Sequence, residues 1–311
     1  MKRHLLAWVI PVLLVVILPV SSVAEEEPAK ESPPLPLHTV EGNGGIFSTN
    51  SAYLVNPAKE GEFFGLPSVG SAFVHLGHGR WLTALTVTET LSDRLELGYG
   101  WNYLDLGDLR SDIDDTTGGS FRIGDNHVHM HNVNARLALV KEGEFDLSWL
   151  PAVTLGAHFK INEDIDDIDD DLGGLLDASG IESDYGFDFT LYASKLITFL
   201  PRPVLLNAGL RYSDAAHIGL LGFTRDYSFL AEGNVVLFVT DRFALAAEYR
   251  MKPNKYDRIM DLVKDEDDWW TILFAYVFTN HWTVSGGYAH FGRVLNHDAN
   301  GSWGLKMKWE F

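Results

Sequence analysis

Ser302–Phe311 (SWGLKMKWEF) alternates strictly along its length. Leu305, Met307, Trp309 and Phe311 fall on one side, and Gly304, Lys306, Lys308 and Glu310 on the other. Successive side chains of a strand point to opposite faces, so this segment has one apolar and one charged face. An apolar face cannot remain in water, and a face with three charges cannot enter a dry core. A wall between lipid and a wet lumen satisfies both. The segment therefore predicts the closing strand of a transmembrane β-barrel, ending on the aromatic pair Trp309 and Phe311.

The same pattern recurs upstream. Leu95, Leu97, Tyr99, Trp101 and Tyr103 oppose Glu96, Gly98, Gly100 and Asn102. Val153, Leu155, Ala157, Phe159 and Ile161 oppose Thr154, Gly156, His158 and Lys160. Tyr185, Phe187, Phe189 and Leu191 oppose Gly186, Asp188, Thr190 and Tyr192, and Phe243, Leu245, Ala247 and Tyr249 oppose Ala244, Ala246 and Glu248. A soluble sandwich also alternates. Aromatic residues at the strand ends and small or charged residues opposite them favour a lipid face and a wet lumen. Brief connections at 91–94, 141–144, 199–203, 239–242 and 278–281 alternate with long polar segments near 104–126, 162–184, 214–224, 252–268 and 292–301. That rhythm predicts short periplasmic turns and long acidic external loops. Counting from a first strand near Gly70–Leu76 gives an all-β, antiparallel outer-membrane barrel of about twelve strands, spanning residues 69–311.

The N-terminus supplies the address. Lys2, Arg3 and His4 precede an apolar run from Leu5 to Val20 and the small-residue stretch Ser22-Val23-Ala24. This predicts a signal peptide over 1–24, cleaved after Ala24, for export to the outer membrane of a Gram-negative bacterium. Pro11 and Pro19 interrupt the run, which argues against a retained helical anchor. Residues 25–68 are expected to be a periplasmic lead-in or a plug. The stretch to residue 45 reads as flexible from its Pro, Glu and Gly content, whereas Phe47, Tyr53, Phe63 and Phe64 are too apolar for a free tail. The formal net charge of −19 opposes binding to nucleic acid. With no cysteine, the chain carries no disulfide, thiol nucleophile or thiolate metal site.

Taken together, VTETLSDRLELGYGWNYLDLGDL (87–109), HNVNARLAL (131–139), WLPAVTLGAHFK (149–160), AGLRYSDAAHIGLLGF (208–223), NVVLFVTDRFALAAEYRMKPNKYDRI (234–259) and NHDANGSWGLKMKWEF (296–311) resemble a proteobacterial family of outer-membrane barrels known as a domain of unknown function. The resemblance runs from about Pro67 to the C-terminus and is weakest over 163–184. It implies the fold and compartment, and likeness to outer-membrane barrels implies Trp309 and Phe311 as the terminal signal read by the barrel-assembly machinery; it brings no other functional residues.

Several clusters are candidates for chemistry. Glu163–Asp184 holds ten carboxylates and no basic residue. Asp166, Asp167, Asp169, Asp170 and Asp171 supply the oxygen ligands that Ca²⁺ prefers, although the spacing does not fit the EF-hand loop. A solvated acidic loop, or one bridged by divalent ions to lipopolysaccharide, is the plainer reading. His127, His129 and His131 share a strand face, but successive positions on that face lie roughly 7 Å apart, which is awkward for one tetrahedral metal. His217, His290, His297, Asp298 and Ser302 are pieces from which a rim hydrolase would be built, with His297 and Asp298 the pair to test. No motif surrounds them, so no enzyme activity and no obligate cofactor are expected.

The inferred inner faces carry Glu96, Asp188, Glu232 and Glu248 against Arg136, Arg211, Arg250 and Lys306, with His158, Lys160 and Lys308 nearby. Around an open path these residues select solutes by charge, and paired across a narrow barrel they fill it. The expected function is a small passive channel for hydrophilic or amphipathic solutes. If residues 46–68 insert, a route for hydrophobic compounds through the wall also becomes available. The alternative is a non-conducting surface barrel that displays its acidic loops. Lipid, lipopolysaccharide and the assembly machinery are the expected partners.

Overall fold

The computed structural model describes residues 37–311 except 60, 256–265 and 296, so the signal peptide and the first part of the lead-in lie outside the described residues. Twelve antiparallel strands close into a barrel. They are β1 (Ser68–Gly77), β2 (Arg80–Leu91), β3 (Leu95–Asp105), β4 (His127–Val140), β5 (Ala152–Asn162), β6 (Tyr185–Ile197), β7 (Val204–Ala215), β8 (Phe223–Phe238), β9 (Phe243–Arg250), β10 (Trp269–Val277), β11 (Trp282–His290) and β12 (Ser302–Glu310). Each strand pairs with the next, and β12 closes the ring on β1 through pairs such as Lys306 with Ala72. Closure leaves no unpaired strand edge, which a wall in lipid requires because no water is present to satisfy the backbone.

The strands keep the register that their alternation demands. Leu85, Leu97, Leu137, Leu155, Leu191, Leu210, Leu245, Ile272 and Leu305 are all exposed on the outside. Trp81, Tyr185, Tyr212, Tyr249, Trp270, Tyr288 and Trp303 ring the outer-leaflet end, while Trp149, Tyr276, Phe278, Trp282 and Phe311 ring the other. Trp309 packs edge-on against Trp282, with ring centroids 4.7 Å apart. An aliphatic belt between two aromatic girdles is the surface of a protein seated in a bilayer. The molecule is a twelve-stranded outer-membrane β-barrel.

Turn lengths follow the expected rhythm with one exception. The hairpin between β1 and β2 sits at the external end yet consists only of His78 and Gly79. It turns that tightly because Gly77, His78 and Gly79 all adopt positive φ, at 83°, 51° and 72°.

The other external segments are not simply polar loops. Helix α1 (Leu109–Thr117) buries Leu109 and Ile113, and α2 (Ile165–Asp171) buries Ile165 and Ile168. A short α3 (Leu175–Ala178) follows, and Ala216–Gly219 forms one fully buried turn. Their apolar residues form one cluster with Leu76, Leu82, Leu104, Val128 and Met130, which line the outer end of the lumen. The loops thus fold inward as an apolar cap, with their acids on the outer side. The inward residues of β2 show the same grading, from Thr90, Thr88 and Thr86 through Ala84 to Leu82. The lumen is polar towards the periplasm and richer in apolar side chains under the cap, where Arg80 and a His217–Glu266–Lys252 cluster are also buried.

Leu210 is half exposed in the middle of β7. Leu210→Arg should lower the unfolding free energy in lipid vesicles by about 2–4 kcal/mol, seen as an earlier denaturant midpoint. Phe199→Arg, in a periplasmic turn, should stay within about 0.5 kcal/mol of the parent.

Candidate functional site

Residues 38–58 lie inside the barrel, and nearly every one is buried. The segment starts as a two-residue ribbon in which Leu37 and His38 pair with Gly45 and Gly44. Between them, Thr39–Asn43 turns tightly against β3. Gly42 has φ +81°, and a Cβ there would lie 2.3 Å from the Tyr99 carbonyl oxygen. A Cβ on Gly98 of the wall would come within 1.9 Å of the Gly42 oxygen. Glycines on both sides therefore allow two backbones to touch. The expectation of flexibility over 41–45 is corrected on this ground: these glycines serve close approach rather than mobility.

Wall side chains supply what the irregular backbone of this segment lacks. Glu248 Oε1 accepts from the N–H groups of Phe47, Ser48 and Thr49 at 2.9, 3.1 and 3.0 Å, and from the Thr49 hydroxyl at 2.7 Å. Its other oxygen accepts from Thr271 at 2.6 Å. Three successive N–H groups converging on one carboxylate form an anion-binding nest. Glu96 accepts from the N–H groups of Gly44 and Val55 at 3.1 and 2.8 Å, and from Arg136 at 3.0 Å. Arg136 donates to the carbonyls of Gly44, Ser51 and Tyr53. Arg250 donates to the Ser48 carbonyl at 3.2 Å, and Lys306 to that of Ile46 at 3.3 Å.

Glu41 makes the central contact in return. Its carboxylate lies 2.5 Å from Lys160 Nζ and 2.8 Å from Arg211 Nη2, and all three side chains are fully buried. Burial opposes its ionised form, but the Arg211 guanidinium and Lys160 ammonium outweigh that and hold it well below the usual carboxylate range. Asp188 bridges the same two cations at 2.6 Å each, and Glu232 joins Arg211 to Arg250 at 2.8 and 3.1 Å. Among the described residues, seven basic and seven acidic residues are buried in the barrel (histidine aside), apart from the Lys252–Glu266 ion pair of the external segments. Glu41 is the only one of these outside the strands, so the wall alone holds one excess cation.

All eight lumen residues expected from the sequence, Glu96, Arg136, Asp188, Arg211, Glu232, Glu248, Arg250 and Lys306, face inward and are buried. Six touch the lumenal segment, and Asp188 and Glu232 act through Arg211. The pairing, filling arrangement is the one adopted. Glu41 was missed, as were the amides Asn134 and Asn234, which donate to Glu41 and Asn50 carbonyls at 2.9 and 3.1 Å. Glu41 is the only charged residue between His38 and Ala58 in a Gly-, Asn-, Ser- and Thr-rich stretch, and this is a readable signal for a buried carboxylate.

The remaining candidates separate. Asp169 caps α3 by accepting from Leu176 N–H at 2.7 Å, and Asp171 accepts from Gly124 N–H at 2.6 Å. No three of Asp166, Asp167, Asp169, Asp170 and Asp171 bring their oxygens together as a metal cage would, among the described residues. His127, His129 and Asp164 do gather, with ligand atoms within 4.8 Å, while His131 turns to Glu163 at 3.3 Å and Tyr99 at 2.7 Å. His297 lies 2.8 Å from Asp112, and Asp298 pairs with Arg293 at 3.4 Å. Ser302 gives its hydroxyl to the Ala299 carbonyl, His217 faces Glu266 at 2.8 Å, and His290 stacks on Trp270. These pieces do not assemble as a triad.

The family match takes in both the barrel and the lumenal segment. The chain belongs to the family described as "Protein of unknown function (DUF3034)", matched over residues 37–308. No curated protein matches it. Among solved structures it is similar to a KdgM porin at 10% identity and TM-score 0.47, covering 78% of this chain and 99% of that one. A NanC porin matches at 13% identity and TM-score 0.47, covering 79% and 98%. The Omp33 outer membrane protein of Acinetobacter baumannii matches at 9% identity and TM-score 0.46, covering 80% and 99%.

Hydrogen bonds to a charged acceptor contribute about 1.5–3 kcal/mol, against about 0.5–1.5 for neutral ones. Glu248→Gln should therefore speed amide exchange at Phe47, Ser48 and Thr49 by at least about tenfold, as one factor of ten is about 1.4 kcal/mol. Hydrogen exchange of the vesicle-embedded protein measures this, with amides in β5 unchanged.

Proposed function

We propose that this barrel is a plugged channel, with residues 38–58 as the plug, and that small hydrophilic or amphipathic solutes cross by diffusion when the plug leaves the lumen. The observation that carries this reading is how the plug is held. Its contacts in the polar lumen are mainly hydrogen bonds and ion pairs rather than a packed apolar core. Such pairs contribute little net stability, because desolvation offsets most of their attraction. The wall cations also have partners without the plug: Arg136 has Glu96, Lys160 has Asp188, and Arg211 and Arg250 have Glu232. Withdrawal then leaves unmatched only the one wall charge that Glu41 had balanced, and admits water to it.

Selectivity follows from the balance of those charges. With Glu41 gone, the wall keeps one more cation than anion, and the open lumen prefers anions. On this reading the acidic outer surface of the cap faces lipopolysaccharide and its divalent ions, and Trp309 and Phe311 serve the assembly machinery.

The Ala52 N–H donates to Ser194 Oγ at 2.6 Å, and the chain has no cysteine of its own. Ala52→Cys with Ser194→Cys should lock the plug when oxidised and abolish conductance steps in planar bilayers, which reductant restores. Glu248→Gln should raise the open fraction at least about tenfold, by the hydrogen-bond magnitudes above, with reversal potentials shifted towards anions. Silence of Glu248→Gln under reducing conditions, and of a chain lacking 37–66 that still shows the heat-modifiable mobility of a folded barrel, would leave a sealed surface barrel instead.

A further inference from the structure

The outer rim of the barrel, beside the cap, carries a cluster that the channel reading does not use. His127 and His129 stand on the outward face of β4, on either side of Val128, whose side chain is buried in the lumen. They lie opposite Asp105 and Tyr103 of β3. Asp105 pairs in turn with Trp81 of the outer aromatic ring, so the two imidazoles sit where the wall leaves the bilayer. Their rings meet edge to face, with centroids 4.8 Å apart.

The segment after β5 brings a third group to them. The Glu163 N–H donates to the His129 carbonyl at 2.9 Å, and the His129 N–H donates to Asp164 Oδ2 at 2.5 Å. His129 Nδ1 lies 3.0 Å from the same oxygen. One ligand atom from each of His127, His129 and Asp164 falls within 4.8 Å of the other two. Two observations set this apart from an ordinary ion pair. Asp164 is the N-cap residue of α2, where an aspartate usually accepts from the first turn, yet its side chain makes no such bond. His127 is half buried, and neither of its ring nitrogens has a hydrogen-bond partner among the described residues. His131, the next in the row, is engaged at both nitrogens, by Tyr99 and Glu163.

We infer that His127, His129 and Asp164 bind a divalent transition ion of the zinc kind. Two imidazoles and a carboxylate suit such an ion, whereas Ca²⁺ and Mg²⁺ take oxygen ligands. Ligand atoms around a tetrahedral zinc are about 3.3 Å apart, given bonds of about 2.0–2.1 Å. His129 Nδ1 and Asp164 Oδ2 are already near that spacing, so only His127 has to close in, by rotation of its own side chain. Three protein ligands leave the fourth position to water or an external donor. Asp164 leads directly into α2, whose Ile165 and Ile168 are buried in the cap. The bound ion thus fastens the cap to β4, at a point that does not depend on the plug or on conduction.

The test titrates tag-free protein in phosphatidylcholine vesicles with Zn²⁺ against a chromophoric chelator, with heat-modifiable mobility reporting folding. The parent should take up a single tightly held Zn²⁺ that excess Ca²⁺ does not displace. His127→Ala and Asp164→Asn should each weaken uptake at least about tenfold, since losing even a supporting residue of a metal site costs about 10–100-fold. His131→Gln should leave it unchanged. Zn²⁺ should also slow hydrogen exchange at Ile168 and Leu172, whose N–H groups donate to the Asp164 and Ile168 carbonyls, in the parent but not in His127→Ala. No stoichiometric uptake by the parent would overturn the proposal. So would displacement by Ca²⁺, or equal uptake by His127→Ala and Asp164→Asn, because the ion would then rest on the acidic loop alone.

Discussion

The Glu41 carboxylate, held between Lys160 and Arg211 in the middle of the barrel, is the contact on which the interior depends. The lumen carries six wall cations besides Arg80, and a site shut off from water tolerates charge only where it is matched. Asp188 and Glu232 satisfy part of that demand from the wall, and Glu41 supplies the remainder from a different part of the chain. The barrel and the segment inside it are thus one electrostatic unit, although only the barrel is regular secondary structure. The Glu248 nest has the complementary role. Barrel strands satisfy their own backbones, but an irregular segment in the lumen cannot, and wall carboxylates accept its N–H groups in place of water.

This division explains what could be read from the sequence. Period-two alternation reports which side chains face which way, and it placed Glu96, Arg136, Asp188, Arg211 and Glu248 on the inner face without any structure. It carries no information on what stands opposite an inward residue, and so left an open pore and a filled one equally available. The glycines of 41–45 misled for a related reason. Composition cannot separate a glycine that frees the chain from one that lets two backbones touch, and Gly42 against Gly98 is the second kind. The cap was hidden by its acids. Ile165 and Ile168 are spaced as one face of a helix, yet the aspartates around them dominate the composition of that loop.

The lumen is also stratified along its axis. Threonine, asparagine and most of the charge occupy the periplasmic side, and leucine, valine and methionine dominate beneath the cap, around Arg80 and the His217–Glu266–Lys252 cluster. Phe47, at the tip of the lumenal segment, is the residue that meets the apolar layer, while Glu248 holds the backbone on which it sits. One short segment therefore seals a polar space with its backbone and borders an apolar one with a ring. Whatever moves Phe47–Thr49 affects both spaces at once.

The path of that segment has a topological consequence. His38 lies beside Thr86 and Gly70 in the periplasmic half of the wall, and at the far end Ala58 and Gly65 bond to Ser92 and Thr90 at the β2–β3 turn. Both of these ends lie on the periplasmic side, as in a loop of rope pushed into a pipe. Such a loop can be drawn back towards the side on which both of these ends lie, so its release does not require passage past the cap.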